Sequence, residues 1–281
     1  MAWDGPIVDH HLHLDIDAGC GKDAIEAFVA AGGTHLFIVN KPSWWYGVEV
    51  ESADDFRQGF DATLAAVEYA NTVLPGRAWA VLGVHPALLT RLVEARDLSL
   101  ATAQSLMEAG LDEAASTVES SRAIAVKSGR PHYPVDDATW ACANRVLRHA
   151  LSRAADVGCL VQLHTESGSD FTEIGRWARD AGLEPSHVIK HYADGPIEGL
   201  TPSVIARKDA ITAIERAETP FFMETDYLDD PDRPGAVLGP KTVPRRVRWM
   251  AAAGMMAALE LAHVTTPMTV YDVDTRQCGG T

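Results

Sequence analysis

The chain has no apolar run approaching the roughly 20 residues that a bilayer-spanning helix needs, which argues against a membrane protein. Cysteine is sparse: Cys20, Cys142, Cys159 and Cys278 are scattered with no CxxC spacing, the usage expected of free thiols in a reducing cytoplasm. Basic charge is short as well. Lys and Arg number 24 against 39 Asp and Glu, a formal net charge of −15. Such a surface repels polyanions and argues against a broad nucleic-acid face, while a local metal or arginine cluster could still attract one small anion. There is no internal repeat, no low-complexity tract and no Pro/Gly/Ser linker, so residues 1–281 read as a single domain. The opening MAWDGPIVDHH carries acid and no basic segment, unlike a secretory signal.

What is present is a repeating pattern. Eight short apolar runs lie at 7–13, 34–40, 78–84, 122–128, 159–165, 187–191, 202–206 and 221–226. Helical candidates fall between or after them, at 23–31, 54–73, 99–120, 136–157, 170–181, 207–217 and 243–262. In 136–157, Trp140, Ala143, Leu147, Ala150, Leu151 and Ala154 recur three or four apart and make one apolar stripe. Strands apolar nearly throughout are buried on both faces, as in a parallel sheet under helices. At 281 residues the chain fits a (β/α)8 TIM barrel, which needs about 250. A doubly wound open sheet is the alternative.

Polar residues collect at the C-terminal ends of these runs: His11 and His13, then His85 in GVHP, Lys127, His164, His191 and Asp226. In a barrel all of them converge on the rim where barrel enzymes keep their active sites. Strand residues two apart share a face, so His11 and His13 can both face the axis and bind one metal ion. The same alternation predicts that His10 and Leu12 point outward, and that Asp9 lies one layer deeper, where it could orient a ligand histidine. Imidazoles with a carboxylate suit Zn2+, and Mn2+, Fe2+ or Mg2+ with less preference, one or two ions per chain.

VDHHLH at 8–13, GVHP at 83–86, LHTES at 163–167, VIKH at 188–191 and METDYL at 223–228 resemble the TatD-like branch of the metal-dependent amidohydrolase superfamily. The resemblance implies a TIM barrel that activates water for hydrolysis, with His11, His13 and Asp226 around one metal and His164 and His191 around another. The family usually has a bridging glutamate after the fourth strand; here Lys127 takes that place. An ammonium has no lone pair to give a cation. Lys127 could be carboxylated to a bridging carbamate, as in the similar phosphotriesterase branch. It could instead remain an amine beside a single metal, or point away while another carboxylate, Glu166 or Glu224, serves.

Asp226 is the expected proton acceptor for the attacking water. Substrate contacts are expected from loops: His85; Trp44 and Trp45 in KPSWWYG, as a wall or lid; and Arg130, His132 and Tyr133 in GRPHYP, with Arg130 as an anion clamp. Lys241, Arg245 and Arg246 offer a second clamp in a long loop from Tyr227. The leading expectation is a hydrolase of a small ester, phosphoester, lactone or amide. A nuclease acting on nucleic-acid ends, a metal-binding protein without catalysis, and a metal-dependent lyase or decarboxylase are the alternatives.

Overall fold

The computed structural model describes residues 2–230 and 237–277. All eight apolar runs are strands: β1 (Val8–His13), β2 (His35–Val39), β3 (Ala78–Gly83), β4 (Ala125–Gly129), β5 (Leu160–His164), β6 (Val188–Ala193), β7 (Thr201–Ile205) and β8 (Phe222–Glu224). A short β9 (Tyr227–Leu228) follows directly. Every pairing is parallel, in the order β8-β7-β6-β5-β4-β3-β2-β1-β9. Only Thr225 and Asp226 separate β8 from β9, so one stretch of chain pairs with β7 on one side and β1 on the other. That closes the barrel.

Helices α1 (Gly21–Ala30), α2 (Arg57–Val73), α4 (Leu100–Glu119), α5 (Asp137–Asp156), α6 (Thr172–Asp180) and α7 (Lys208–Glu215) match the periodic segments. The predicted stripe of α5 is buried from Ala143 to Ala154 against the barrel wall. The expected helix at 243–262 is two helices, α8 (Thr242–Ala252) and α9 (Met256–Glu260), broken where Gly254 adopts φ +83°. Arg245 and Arg246 therefore belong to α8 rather than to a loop, and Arg246 Nε donates to the Ala206 carbonyl. Residues 231–236 of the expected loop lie outside the described residues. Two helices were not expected. The first is α3 (Ala87–Arg96), anchored by buried Leu88, Leu89 and Leu92. The second is α10 (Thr266–Tyr271), which plugs the bottom of the barrel with Val270 and Tyr271 against Val8, Phe37, Val81 and Phe222.

Outward strand residues such as Leu36, Leu82, Val126 and Leu163 pack under helices, while inward Phe37 and Phe222 fill the barrel floor. Burying a side chain of that size contributes roughly 1.5–3 kcal/mol. One departure from alternation positions the site. β1 pairs Asp9 with Leu36 but Leu12 with Ile38, so β1 carries one extra residue there, a β-bulge. His10 and His11 consequently both face the interior, which corrects the expectation for His10: its ring stacks on Phe222 at 3.9 Å. Glycine ends β3 and β4 for a steric reason. A Cβ on Gly83 would lie 1.8 Å from the Lys127 carbonyl oxygen, and one on Gly129 would lie 1.7 Å from that of His164.

Candidate metal centre

The rim residues converge as the spacing predicts. Among the described residues two groups could hold a cation, His11 with His13 and Asp226, and His11 with His191 and Glu224; within each group the ligand atoms lie within 4.8 Å of one another. Asp226 sits in the break between β8 and β9 at φ +48°, and its amide donates to the His11 carbonyl. That turn aims Oδ1 at the Nε2 atoms of His11 and His13, 3.9 and 3.7 Å away.

Hydrogen bonds at the far nitrogens prepare these rings as ligands. His13 Nδ1 lies 2.9 Å from the Val39 carbonyl, which can only accept, so Nδ1 carries the proton and Nε2 presents its lone pair. His11 Nδ1 likewise faces Gln162 Oε1 at 2.7 Å. Burial pushes His11, His13, His164 and His191 well below the ordinary histidine range, so all four rings are neutral. Neutral imidazoles with oriented lone pairs beside a carboxylate fit a divalent cation.

Lys127 points into the centre. It is buried, with Nζ 2.8 Å from His11 Nε2, so the possibility that it points elsewhere is set aside. Burial lowers its pKa to about 8, against the opposing pull of the Asp226 and Glu224 carboxylates. Burial also raises Asp226 to about 6, opposed by Lys127 and Lys190. His11 stacks on His191 at 4.0 Å, and His191 Nδ1 is 3.3 Å from Glu224 Oε1. His164 Nδ1 lies 2.8 Å from His191 Nε2, while its Nε2 lies 2.8 Å from His132 Nδ1. His85 has the opposite tautomer from His13. The Ala87 amide donates to its Nδ1, so Nε2–H is free to donate, and its ring lies 4.5 Å from that of His164.

Several expected residues do other work. Arg130 is buried and saturated by Glu166, Thr165 and Asn144, with its guanidinium 4.6 Å from the Trp140 ring. It is not free to clamp an anion, and Glu166 is committed to it rather than to a metal. Tyr133 bonds Thr90 at 2.6 Å. Trp44 packs edge-on to His85 at 5.6 Å, whereas Trp45 is exposed. Asp9 accepts from the amide and hydroxyl of Thr225 and from the His11 amide, so it braces the backbone and touches no ligand ring.

Gln162 was missed. Its Oε1 holds His11, while its Nε2 donates to Tyr271 Oη at 3.1 Å and to the His10 carbonyl at 3.3 Å. The signal was present: Gln162 interrupts an apolar strand two residues before His164, on the same face. Ser203, which donates to Glu224 and lies 3.0 Å from His10 Nδ1, was missed as well.

A closed parallel barrel with histidines, an aspartate and a buried lysine at its C-terminal rim defines a metal-dependent hydrolase of the TIM-barrel class. The family model "TatD related DNase" matches residues 8–270, and the chain belongs to that family. It is 33% identical to an uncharacterized protein, MJ1127, of Methanocaldococcus jannaschii, over 96% of each chain. Among solved structures, YjjV, a TatD homolog from Escherichia coli, matches with a TM-score of 0.61 at 18% identity, covering 95% of this chain and 98% of that one. A Deinococcus radiodurans phosphotriesterase-like lactonase mutant matches with a TM-score of 0.60 at 12% identity, covering 95% of both. These two likenesses concern the fold. Among the described residues no helix is long and apolar enough to cross a membrane.

Proposed function

We propose that this hydrolase cleaves a small ester, phosphoester, lactone or amide. In this reading His11, His13 and Asp226 hold one divalent cation, and His164 and His191 hold a second, with Lys127 joining the two as a carbamate. Zn2+ suits the imidazole-rich set best. The observation that carries the reading is the placement of Lys127 Nζ against His11 Nε2 at 2.8 Å, beside both ligand groups. A plain ammonium there repels a cation. Carboxylation joins the neutral amine nitrogen to the carbon of CO2 and releases one proton, which turns the repelling group into an anionic ligand. Without that charge, two cations among neutral rings and one aspartate would repel strongly, since the one other carboxylate of the candidate groups, Glu224, is already engaged by the Tyr192 amide and the Ser203 hydroxyl.

A divalent cation held by these residues would supply Lewis acidity for the activation of water. This chain's own groups do the rest. Asp226 accepts the proton of the attacking water and passes it to the leaving group. His85 donates from Nε2–H to the oxygen under attack, the role its tautomer permits. Free Cys20, Cys142 and Cys159 support a reducing, cytoplasmic setting; Cys278 lies outside the described residues.

The test is metal content and carboxylation together. Protein prepared with Zn2+ and bicarbonate is expected to hold two metals per chain, with a 13C carbamate resonance after 13C-bicarbonate labelling. Lys127→Ala should drop to one metal and lose turnover, with partial rescue by short carboxylic acids, and Lys127→Glu should keep two. One metal with an unmodified lysine in the wild type overturns the bridge and leaves an amine beside a single cation. The family description favours a second reading, a nuclease of nucleic-acid ends. It requires oligonucleotide cleavage that falls steeply with salt, and the net charge of −15 weighs against it.

A further inference from the structure

Beside the rim, a cleft of about 270 Å³ lies between the loop after β2 and helix α3. Trp44, Glu49, Leu88, Arg91 and Arg96 are among the residues that line it. One feature is unexplained by the fold. Arg91 stacks on the Trp44 ring, with its guanidinium carbon 4.8 Å from the ring centre, and no carboxylate of the described residues pairs with it. Stacking uses the face of the guanidinium and leaves its N–H edge free for two parallel bonds to a carboxylate or phosphate. Trp44 is the shared wall, since it carries Arg91 and meets His85 edge-on at 5.6 Å. His85 in turn reaches His164 at 4.5 Å.

We infer that this cleft is an anion subsite, in which the Arg91 guanidinium, backed by the Trp44 ring, holds a carboxylate or phosphate group of a small substrate whose scissile bond lies at the metal centre. The inference rests on the hydrolase reading for the second half of that statement and names the substrate class: a small molecule with an anionic group remote from the bond cleaved. Arg96 also lines the cleft but is held by the Val50 carbonyl and Glu51, so Arg91 is left as the unpaired cation there, and with Glu49 in the same lining the cleft suits a single anionic group better than a polyanion.

Binding and turnover are tested separately. Inorganic phosphate and succinate are titrated into the metal-loaded protein while the Trp44 indole resonance is followed, assigned with Trp44→Phe. Saturable shifts are expected for at least one of the two, with the stronger marking phosphate or carboxylate as the preferred group. The shifts should be lost in Arg91→Ala. Arg91 is exposed on α3, so its replacement leaves the fold intact. If neither anion shifts Trp44, or if Arg91→Ala binds as well as wild type, the subsite is overturned whatever the protein hydrolyses. If the anion binds but no ester, lactone, amide or phosphoester turns over, the subsite stands and the hydrolase reading fails. Where turnover is found, Arg91→Ala should raise KM about tenfold for an anionic ester and leave kcat and the matched neutral ester unchanged; equal effects on both esters overturn the proposal. Oligonucleotides competing better than succinate or phosphate would also overturn it, in favour of a nucleic-acid ligand.

Discussion

Replacing Gln162 by leucine separates preparation of a ligand from support of the fold. Gln162 is fully buried, and leucine nearly fills its volume, so little cavity term arises. The substitution removes the acceptor for His11 Nδ1–H, 2.7 Å away, and the donor to Tyr271 Oη and the His10 carbonyl. Each buried group left unsatisfied costs about 1–3 kcal/mol. Tyr271 keeps a partner in His10 Nε2 at 2.9 Å, so the net loss of stability in the metal-free protein should be about 3 kcal/mol. Metal affinity should fall separately, by roughly 10- to 100-fold, because the proton on His11 is no longer confined to the nitrogen facing away from the site. Tyr271→Phe is the control. It breaks the same network at its far end but leaves the Gln162–His11 bond in place. Its cost should be about 1 kcal/mol of stability with metal affinity unchanged. Chelator competition gives the affinity and thermal melting in EDTA gives the stability. If both variants lose stability and neither loses affinity, Gln162 only fills the barrel and its claimed control of His11 is wrong.

Three further outcomes follow from the same geometry. Burial raises Asp226 to about 6 from an ordinary 3.8, so the metal-free folded state holds that proton more tightly than the unfolded chain does. Its stabilising contribution is complete below pH 4 and is lost as pH rises through 6, a difference of at most about 3 kcal/mol. Metal-free Asp226→Asn should therefore melt higher than wild type at pH 8 but not at pH 4, while turnover is lost; an equal difference at both values refutes the assignment. Arg130→Ala should cost about 3 kcal/mol, because it strands Glu166 and empties the space between Trp140 and Trp177. Substrate KM should stay constant, and a raised KM without lost stability would return Arg130 to the binding site. Gly129→Ala should abolish metal binding even in any soluble fraction, since its Cβ would meet the His164 carbonyl oxygen and part β4 from β5; retained stoichiometry would show that the rim tolerates that shift.

The sequence made the barrel readable because its strands are buried on both faces, and unbroken apolar runs such as LFIV at 36–39 need no partner to be recognised. The rim was readable for a related reason. His11, Lys127, His164, His191 and Asp226 are polar residues at the ends of apolar strands, where burial without function would be costly. What stayed hidden depends on register and on partners distant in sequence. Alternation alone sends His10 outward, and only the pairing of β1 with β2 reveals the extra residue that turns it in. Arg130 read as a free cation because Glu166 lies 36 residues away in the chain. Helix α3 was lost in GVHPALL, although Leu88, Leu89 and Leu92 carry its spacing.

The bulge in β1 is also what gives the centre its depth. With strict alternation, β1 would send Asp9, His11 and His13 inward, and Ser203 and Tyr271 would have no ring between them. With the extra residue, His10 sits beneath His11, 3.0 Å from Ser203 Oγ and 2.9 Å from Tyr271 Oη. Ser203 reaches Glu224 and Gln162 reaches His11, so both candidate ligand groups rest on one buried layer. Ligand rings held from below can keep their lone pairs aimed at the rim while the loops above change with substrate. The relation between the two halves of the site is then asymmetric. Substitutions in the His10 layer should alter metal affinity for every substrate, whereas substitutions at Trp44, His85 or Arg91 should alter the choice among substrates at constant metal content.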